Sequence, residues 1–240
     1  MSLDILLTIS VTAFIQSVFG VGVLLFGTPV LLALGYDFID AIYVLLPVSV
    51  MINVLQIIKD HNHINFKFYK DVTVYTVPCI IASLFFITHF KINIGLFIGI
   101  FLLFVAIKDY FSLVKNFIDK AVRYERIYFI MMGIIHGLTN LGGSLLTAIV
   151  YNTNTEKRVI RATIAATYAT FAIFQILTLV FANNSTVFNL KEIGLYTLVG
   201  VVIFLLSEAM VYMEINNEKY QIIFSLFLFC SGILLCLKAL

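Results

Sequence analysis

The sequence predicts an all-α polytopic membrane protein made of two related repeats, each with about four hydrophobic segments. Composition is the first reason: of 240 residues, 62% are hydrophobic and only 12% are charged, whereas soluble domains carry about 25% charged residues. The mean hydropathy of +1.07 agrees. Too few charged side chains exist to cover a water-soluble surface, so the chain is expected to lie in lipid.

Long apolar runs are the second reason. A transmembrane helix needs roughly 20 mainly apolar residues, and its backbone polar groups must be hydrogen-bonded within the protein. The runs do not alternate apolar and polar residues, as membrane β-strands would, so we predict helices. The eight runs are 3–35, 38–58, 72–90, 92–107, 127–150, 162–182, 193–213 and 221–239.

The first run is too long for one span, and Gly20-Val-Gly22 interrupts it near its middle, with Pro29 beyond. Two short helices joined by a glycine turn would account for this length. The run 127–150 carries a similar break at Gly142-Gly143. We therefore predict broken or re-entrant first helices in both repeats, although glycine and proline also serve for simple kinks and close packing in membranes.

An internal repeat is the third reason. A shift of 121 residues aligns several polar residues and glycines in one register, which matters in so apolar a chain. It pairs Gly22 with Gly143, Ala41 with Ala162, Asn62 with Asn183, Lys70-Asp71 with Lys191-Glu192, and Tyr75-Thr76 with Tyr196-Thr197. We divide the chain into a first transmembrane repeat, 1–107, a cytoplasmic amphipathic linker, 108–126, and a second transmembrane repeat, 127–240.

Two topologies fit the runs. If every run crosses once, the repeats are parallel, and ten of the Lys and Arg residues lie on one face against five on the other. If the first run of each repeat enters and leaves on the same face, the repeats are inverted and the division becomes twelve against three. Cytoplasmic loops are rich in Lys and Arg. The distribution favours the inverted arrangement, with the linker in the cytoplasm and the N-terminus outside.

The glycine segments carry a family resemblance. The run FGVGVLLFGTPVLLALG (19–35), followed by Asp40-Ala41, resembles the TauE/SafE sulfite-exporter family. Its second copy, HGLTNLGGSLL (136–146), followed by Arg161-Ala162, is similar. The likeness covers the whole chain. It implies a multi-pass permease for small sulfur-containing anions such as sulfite or organosulfonates, which composition and spacing alone would not have named.

The candidate site lies at the two glycine breaks. Transporters with internal repeats bind substrate where discontinuous helices expose backbone amides near the bilayer midplane, and helix N-termini favour anions. The candidate substrate-binding residues are Gly20, Gly22, Asn140, Gly142, Gly143, Ser144, Ser49, Asn53, Thr170 and Gln175. His136 and Glu208 are candidates for coupling transport to a proton or ion. Helix packing remains the alternative for the glycines, and interhelical hydrogen bonding for the polar residues.

The sequence thus predicts a secondary transporter of the cell (inner) membrane with alternating access between its repeats. No enzyme motif is present, and no cofactor or metal is expected, because His61 and His63 lack a third ligand nearby. The expected partners are a small anion, the bilayer, a coupling proton or ion, and a second copy of the chain in a homo-oligomer; nucleic acid is not expected. A non-transporting membrane assembly or interaction protein is the alternative.

Overall fold

A computed structural model describes residues 2–90, 95–107, 124–153, 156–182, 186–210, 226 and 229–237. Within these ranges the fold is helical, without strands. The helices are α1 Leu3–Phe19, α2 Val23–Leu34, α3 Phe38–Asp60, α4 Phe66–Phe90, α5 Gly95–Ile107, α6 Glu125–Thr139, α7 Gly143–Thr153, α8 Lys157–Phe181, α9 Leu190–Met210 and a short α10 at 229–237. Residues 108–123 of the predicted linker and nine of the nineteen residues of the run 221–239 lie outside the described residues.

The run 3–35 forms a helical hairpin, as the glycine break predicted. Gly35 ends α2 in the left-handed conformation, with φ 104°, which glycine adopts without steric cost. The next residue, Tyr36, donates its hydroxyl to Asp4 Oδ2 at 2.8 Å, in the first turn of α1. The start of α1 and the end of α2 therefore lie at the same end of the molecule.

Hydrogen bonds and ion pairs at the two ends of α3 fix its direction relative to α8. At its start, Asp40 Oδ1 accepts hydrogen bonds from Thr186 Oγ1 at 2.9 Å and the Val187 amide at 3.1 Å, just beyond the end of α8. At its end, Lys59 Nζ lies 3.1 Å from Glu208 Oε1, which also pairs with Arg161 near the start of α8. Helices α3 and α8 are therefore antiparallel.

The ion pairs of Lys59 and Arg161 with Glu208 distinguish the parallel from the inverted topology. Under single crossings, Lys59 and Arg161 would lie on opposite faces of the membrane and could not share one carboxylate. Because α3 and α8 are equivalent helices of the predicted repeat, their antiparallel course is that of inverted repeats. The all-α polytopic class, with broken first helices, is confirmed. We refer to the Asp40 end and the Lys59 end of the molecule, after the residues that mark them.

The first helix of each half packs on a helix of the other half. Helix α1 packs on α9, and α6 packs on α4; α3 and α8 pack together at the centre. Glycine permits the closest contact, because a methyl group added at Gly133 of α6 would lie 2.5 Å from the Thr76 carbonyl oxygen of α4. Small residues at such contacts let membrane helices approach. Each half is thus covered largely by helices of the other.

The outer surface suits a bilayer. Within the described residues, four helical stretches are long and apolar enough to cross one: Phe38–His63, Phe66–Phe90, Arg158–Phe181 and Leu190–Glu208. Large apolar side chains such as Phe85, Phe86 and Leu198 are exposed on them. Helices α1 and α2 are shorter, as a hairpin that does not cross twice requires.

Candidate functional site

The first break separates α1 from α2. Gly20 ends α1 in the left-handed conformation, with φ 78°, and its N–H bonds the Gln16 carbonyl at 2.8 Å. Gly22 is the N-cap of α2, and a methyl group there would lie 2.5 Å from the Thr12 carbonyl oxygen. The start of α2 therefore lies directly against the backbone of α1, which only glycine allows.

A chain of buried side chains supports the first break. Gln16 Nε2 donates to Asn53 Oδ1 at 3.1 Å, and Asn53 Nδ2 donates to Ser49 Oγ at 3.1 Å. Gln16 Oε1 accepts the Val23 amide of the first turn of α2 at 3.0 Å. All three side chains are buried. The Gln16 oxygen thus occupies the place that an anion or N-cap side chain takes at a helix start.

The second break, between α6 and α7, repeats the backbone of the first. Asn140 ends α6 with φ 63°, and its N–H bonds the His136 carbonyl at 2.7 Å. Asparagine is one of the few residues enriched in this conformation. Asn140 thus corresponds to Gly20 at an offset of 120 residues, one less than the sequence register. At the breaks, therefore, Gly22 corresponds to Gly142 and Gln16 to His136.

The polar side chains at the second break are buried but poorly paired. His136, Asn140 and Gln175 are fully buried. The His136 ring and the Gln175 amide face each other, but neither of these side chains, nor Asn140 Oδ1, makes a hydrogen bond of normal geometry to a described residue. Each such group costs about 1–3 kcal/mol when it is buried unpaired. This cluster therefore offers donors and acceptors to a small polar solute, whereas the Gln16, Asn53 and Ser49 side chains at the first break are hydrogen-bonded to one another.

Aromatic rings and glycines enclose His136. Its ring lies 5.9 Å from the Tyr168 ring, edge to face, and 5.2 Å from the Phe171 ring. A methyl group on Gly142 would lie 2.5 Å from His136 Cβ, and one on Gly143 would lie 1.0 Å from the Tyr168 hydroxyl oxygen. Neighbouring side chains thus occupy the space that a side chain at either glycine would need. Only the backbone groups of these glycines are available to a ligand.

The two half-helices that follow the breaks meet inside the molecule. Helix α2 contacts α7, and Asn140 Nδ2 donates to Thr28 Oγ1 of α2 at 2.9 Å. The first four N–H groups of a helix have no acceptor within it, and at the start of α2 Gln16 satisfies only that of Val23. The breaks therefore bring two polar helix starts into the buried centre.

Some candidate residues lie elsewhere. Thr170 faces α4, where its hydroxyl lies 2.9 Å from the Tyr69 hydroxyl. Glu208 lies at the Lys59 end, paired with two cations. Ser144 lies at the second break, but it donates its hydroxyl to the Leu141 carbonyl within its own turn, at 3.2 Å. The structure thus gathers Gly20, Gly22, Ser49 and Asn53 at one break, and Asn140, Gly142, Gly143, Ser144, His136 and Gln175 at the other.

Gln16, which caps α2, was not among the candidate site residues, and neither were three other buried residues with polar groups. Thr28, which lies between Gly27 and Pro29, accepts the hydrogen bond from Asn140 Nδ2. Gln56 continues the spacing of Ser49 and Asn53 on one face of α3, so that spacing was a usable signal. Nothing in the sequence distinguished Tyr168 from the other tyrosines, because its position depends on tertiary packing.

Comparison with known proteins finds one family model that covers nearly the whole chain. The family model described as Sulfite exporter TauE/SafE matches residues 5–235 of the 240. The match therefore includes both breaks and every helix described here in whole or in part. No curated protein and no solved structure matches the chain.

Proposed function

Because the chain belongs to the sulfite exporter TauE/SafE family and is a multi-pass membrane transporter, we propose that it carries small sulfur-containing anions, such as sulfite or organosulfonates, by alternating access between its inverted repeats. We place it in the cell (inner) membrane, with the Lys59 end in the cytoplasm, because the basic loops lie at that end.

The unpaired polar cluster at the second break is the observation that carries this proposal. His136, Gln175 and Asn140 supply neutral hydrogen-bond donors and acceptors, and the start of α7 supplies backbone N–H groups beside them. Neutral dipoles and a helix N-terminus suit an oxyanion. They hold it without a fixed positive charge, so the site can also release it, as a carrier requires.

The first break takes a different part in this proposal. Its helix start is already capped by Gln16, which is itself held by Asn53 and Ser49. We therefore assign Gly20, Gly22, Ser49 and Asn53 to the scaffold that positions α2 against α7. We assign anion contact to Asn140, Gly142, Gly143, His136 and Gln175, with His136 as the group able to carry a coupled proton.

Sulfite flux in proteoliposomes tests the proposal. Wild-type protein should give saturable flux, and Gln175→Leu should raise the KM about tenfold or more, because a hydrogen bond to a charged group contributes about 1.5–3 kcal/mol. Thr178→Val is the matched control, since Thr178 is buried one turn away on α8 and donates only to the Phe174 carbonyl.

Two outcomes would contradict the proposal. An absence of saturable flux of sulfite and of simple organosulfonates through folded wild-type protein would remove the transport function, and would favour a membrane assembly or interaction protein. Equal KM values for Gln175→Leu and wild type would remove the second break as the substrate site.

A further inference from the structure

We propose that Arg161, Lys59 and Gln56 form an anion-binding site at the Lys59 end. The Glu208 carboxylate occupies this site and competes there with the transported anion. This inference rests on the proposed transport of anions. It assigns to the charged cluster a role as the entry site from the cytoplasm, separate from the second break.

The charge balance of the cluster is the first step. Among the described residues, the Glu208 carboxylate is shared by two cations, Arg161 and Lys59, so these three side chains carry a net positive charge. The Arg161 and Glu208 side chains are only 25% and 15% exposed. Arg161 Nε is buried and has no hydrogen-bond partner in the described part of the chain. A guanidinium with an unused donor and a surplus of positive charge can accept a second oxyanion or exchange the first.

The position of Arg161 is the second step. A methyl group on Gly20 would lie 3.3 Å from Arg161 Cγ, so the arginine stem packs on the tip of the α1–α2 hairpin. Arg161 and Glu208 are partly buried, whereas the Lys59 side chain is 51% exposed; a partly buried ion pair is weak evidence for stability, because a well-packed apolar pair is often as stable. The cluster is therefore better explained by an anion-binding role at the hairpin tip than by stability.

A polar stripe on α3 is the third step. Ser49, Asn53, Gln56 and Lys59 recur at spacings of three or four residues, so they share one face of the helix. Gln56 is 1% exposed, yet neither its amide nitrogen nor its amide oxygen has a hydrogen-bond partner among the described residues. It lies between the chain that supports the first break and the charged cluster. The stripe thus supplies an unpaired donor one turn of α3 from Lys59.

The opposite end has no such arrangement among the described residues. The residue that corresponds to Arg161 in the 121-residue register is Asp40, which is hydrogen-bonded to Thr186 and the Val187 amide. The Lys59 end therefore has a cation beside the tip of the α1–α2 hairpin, whereas the corresponding residue at the Asp40 end is a carboxylate. This asymmetry favours anion loading from the Lys59 end.

Calorimetric titration of sulfite into full-length protein in nanodiscs tests the inference. Glu208→Gln removes the competing charge and should lower the sulfite Kd about fivefold or more. Arg161→Gln should raise it about tenfold or more, and Arg161→Lys should restore part of the loss. Lys70→Gln is the control for a general charge effect, because Lys70 is an exposed cation near the same end.

The opposite signs of the two effects separate this site from a structural ion pair. If Glu208→Gln and Arg161→Gln shift the Kd in the same direction, or leave it at the wild-type value, the inference is wrong while the proposed transport stands. If wild-type protein neither binds nor transports sulfite or organosulfonates, the proposed function fails and the inference fails with it. Thermal unfolding of each variant shows whether it is folded.

Discussion

At the level of single residues, Gln16 connects three elements. Its amide joins α1 to Asn53 of α3 and accepts the Val23 N–H at the start of α2. No apolar side chain could do either, and the surroundings are buried, so water is not at hand as a substitute. The position of α2 therefore depends on this one side chain.

We expect Gln16→Leu to lower the free energy of unfolding by about 1–3 kcal/mol for each group left unpaired, Asn53 Oδ1 and the Val23 N–H. Denaturant unfolding in detergent micelles measures the change. Thr12→Val is the matched control, because Thr12 lies one turn earlier on α1 and its hydroxyl bonds only carbonyls of its own helix. Equal losses in the two variants would show that the Gln16 bridge contributes nothing.

Glycine is required at position 143 because the Tyr168 side chain occupies the space of a methyl group there. A methyl group there would overlap the Tyr168 hydroxyl oxygen, at 1.0 Å. We expect Gly143→Ala to displace the Tyr168 ring, to lower stability by about 1–3 kcal/mol or more, and to reduce sulfite flux because the ring packs on His136. Gly194→Ala should be neutral or slightly stabilising, since nothing lies within 4 Å of an added methyl group there. Thermal unfolding and flux assays would reveal the difference; wild-type behaviour of Gly143→Ala would contradict it.

At the level of elements, the two hairpins and the antiparallel pair α3 and α8 determine the topology. The sequence predicted both hairpins from their glycines, because a turn inside an apolar run needs residues that tolerate a left-handed or crowded backbone. It did not predict that asparagine would replace glycine at the second turn, or that the two turns would align at 120 residues.

Cysteine labelling in intact vesicles tests this topology. In a background without Cys79, Cys230 and Cys236, Asn62→Cys and Glu156→Cys should react from one side of the membrane. Asp37→Cys and Val187→Cys should react from the other. All four positions are exposed loop or helix-end residues. Single crossings predict the exchanged grouping, with Asn62 and Val187 on one side, so that result would overturn the inverted arrangement.

At the level of the whole molecule, the halves are interlocked. Helix α1 of the first half packs on α9 of the second, and α6 packs on α4. Each half therefore depends on helices of the other to cover the first helix of its hairpin, α1 or α6. Stability therefore belongs to the complete chain, although the backbone is drawn from two similar segments.

We expect fragments 1–107 and 127–240 to be degraded when each is expressed alone, and to assemble into a transport-competent complex when co-expressed. The reason is that each fragment leaves its hairpin without the helix from the other half that packs on it. Co-purification through a tag on one fragment, followed by a flux assay, measures assembly. A stable single fragment would show that the proposed repeat boundaries define independent domains.

The sequence alone was sufficient for the fold class, the broken helices and most of the polar residues at the breaks, because hydropathy and glycine placement act locally. It could not separate the satisfied first break from the unsatisfied second. That difference depends on Gln16 reaching Asn53 and on Tyr168 and Phe171 enclosing His136, which are contacts between distant segments. Glu208 was an isolated acid in the sequence, and only the fold shows its two cationic partners.

The return of the α1–α2 hairpin to the end where it began also bears on biosynthesis. Its turn never has to be passed to the aqueous compartment beyond the bilayer, so no hydrophilic loop is translocated between the two helices. The insertion machinery must instead release residues 3–35 into lipid as one unit. This segment acquires its final neighbours only after α9 has been synthesised, because α9 is the last of the described helices that pack on it.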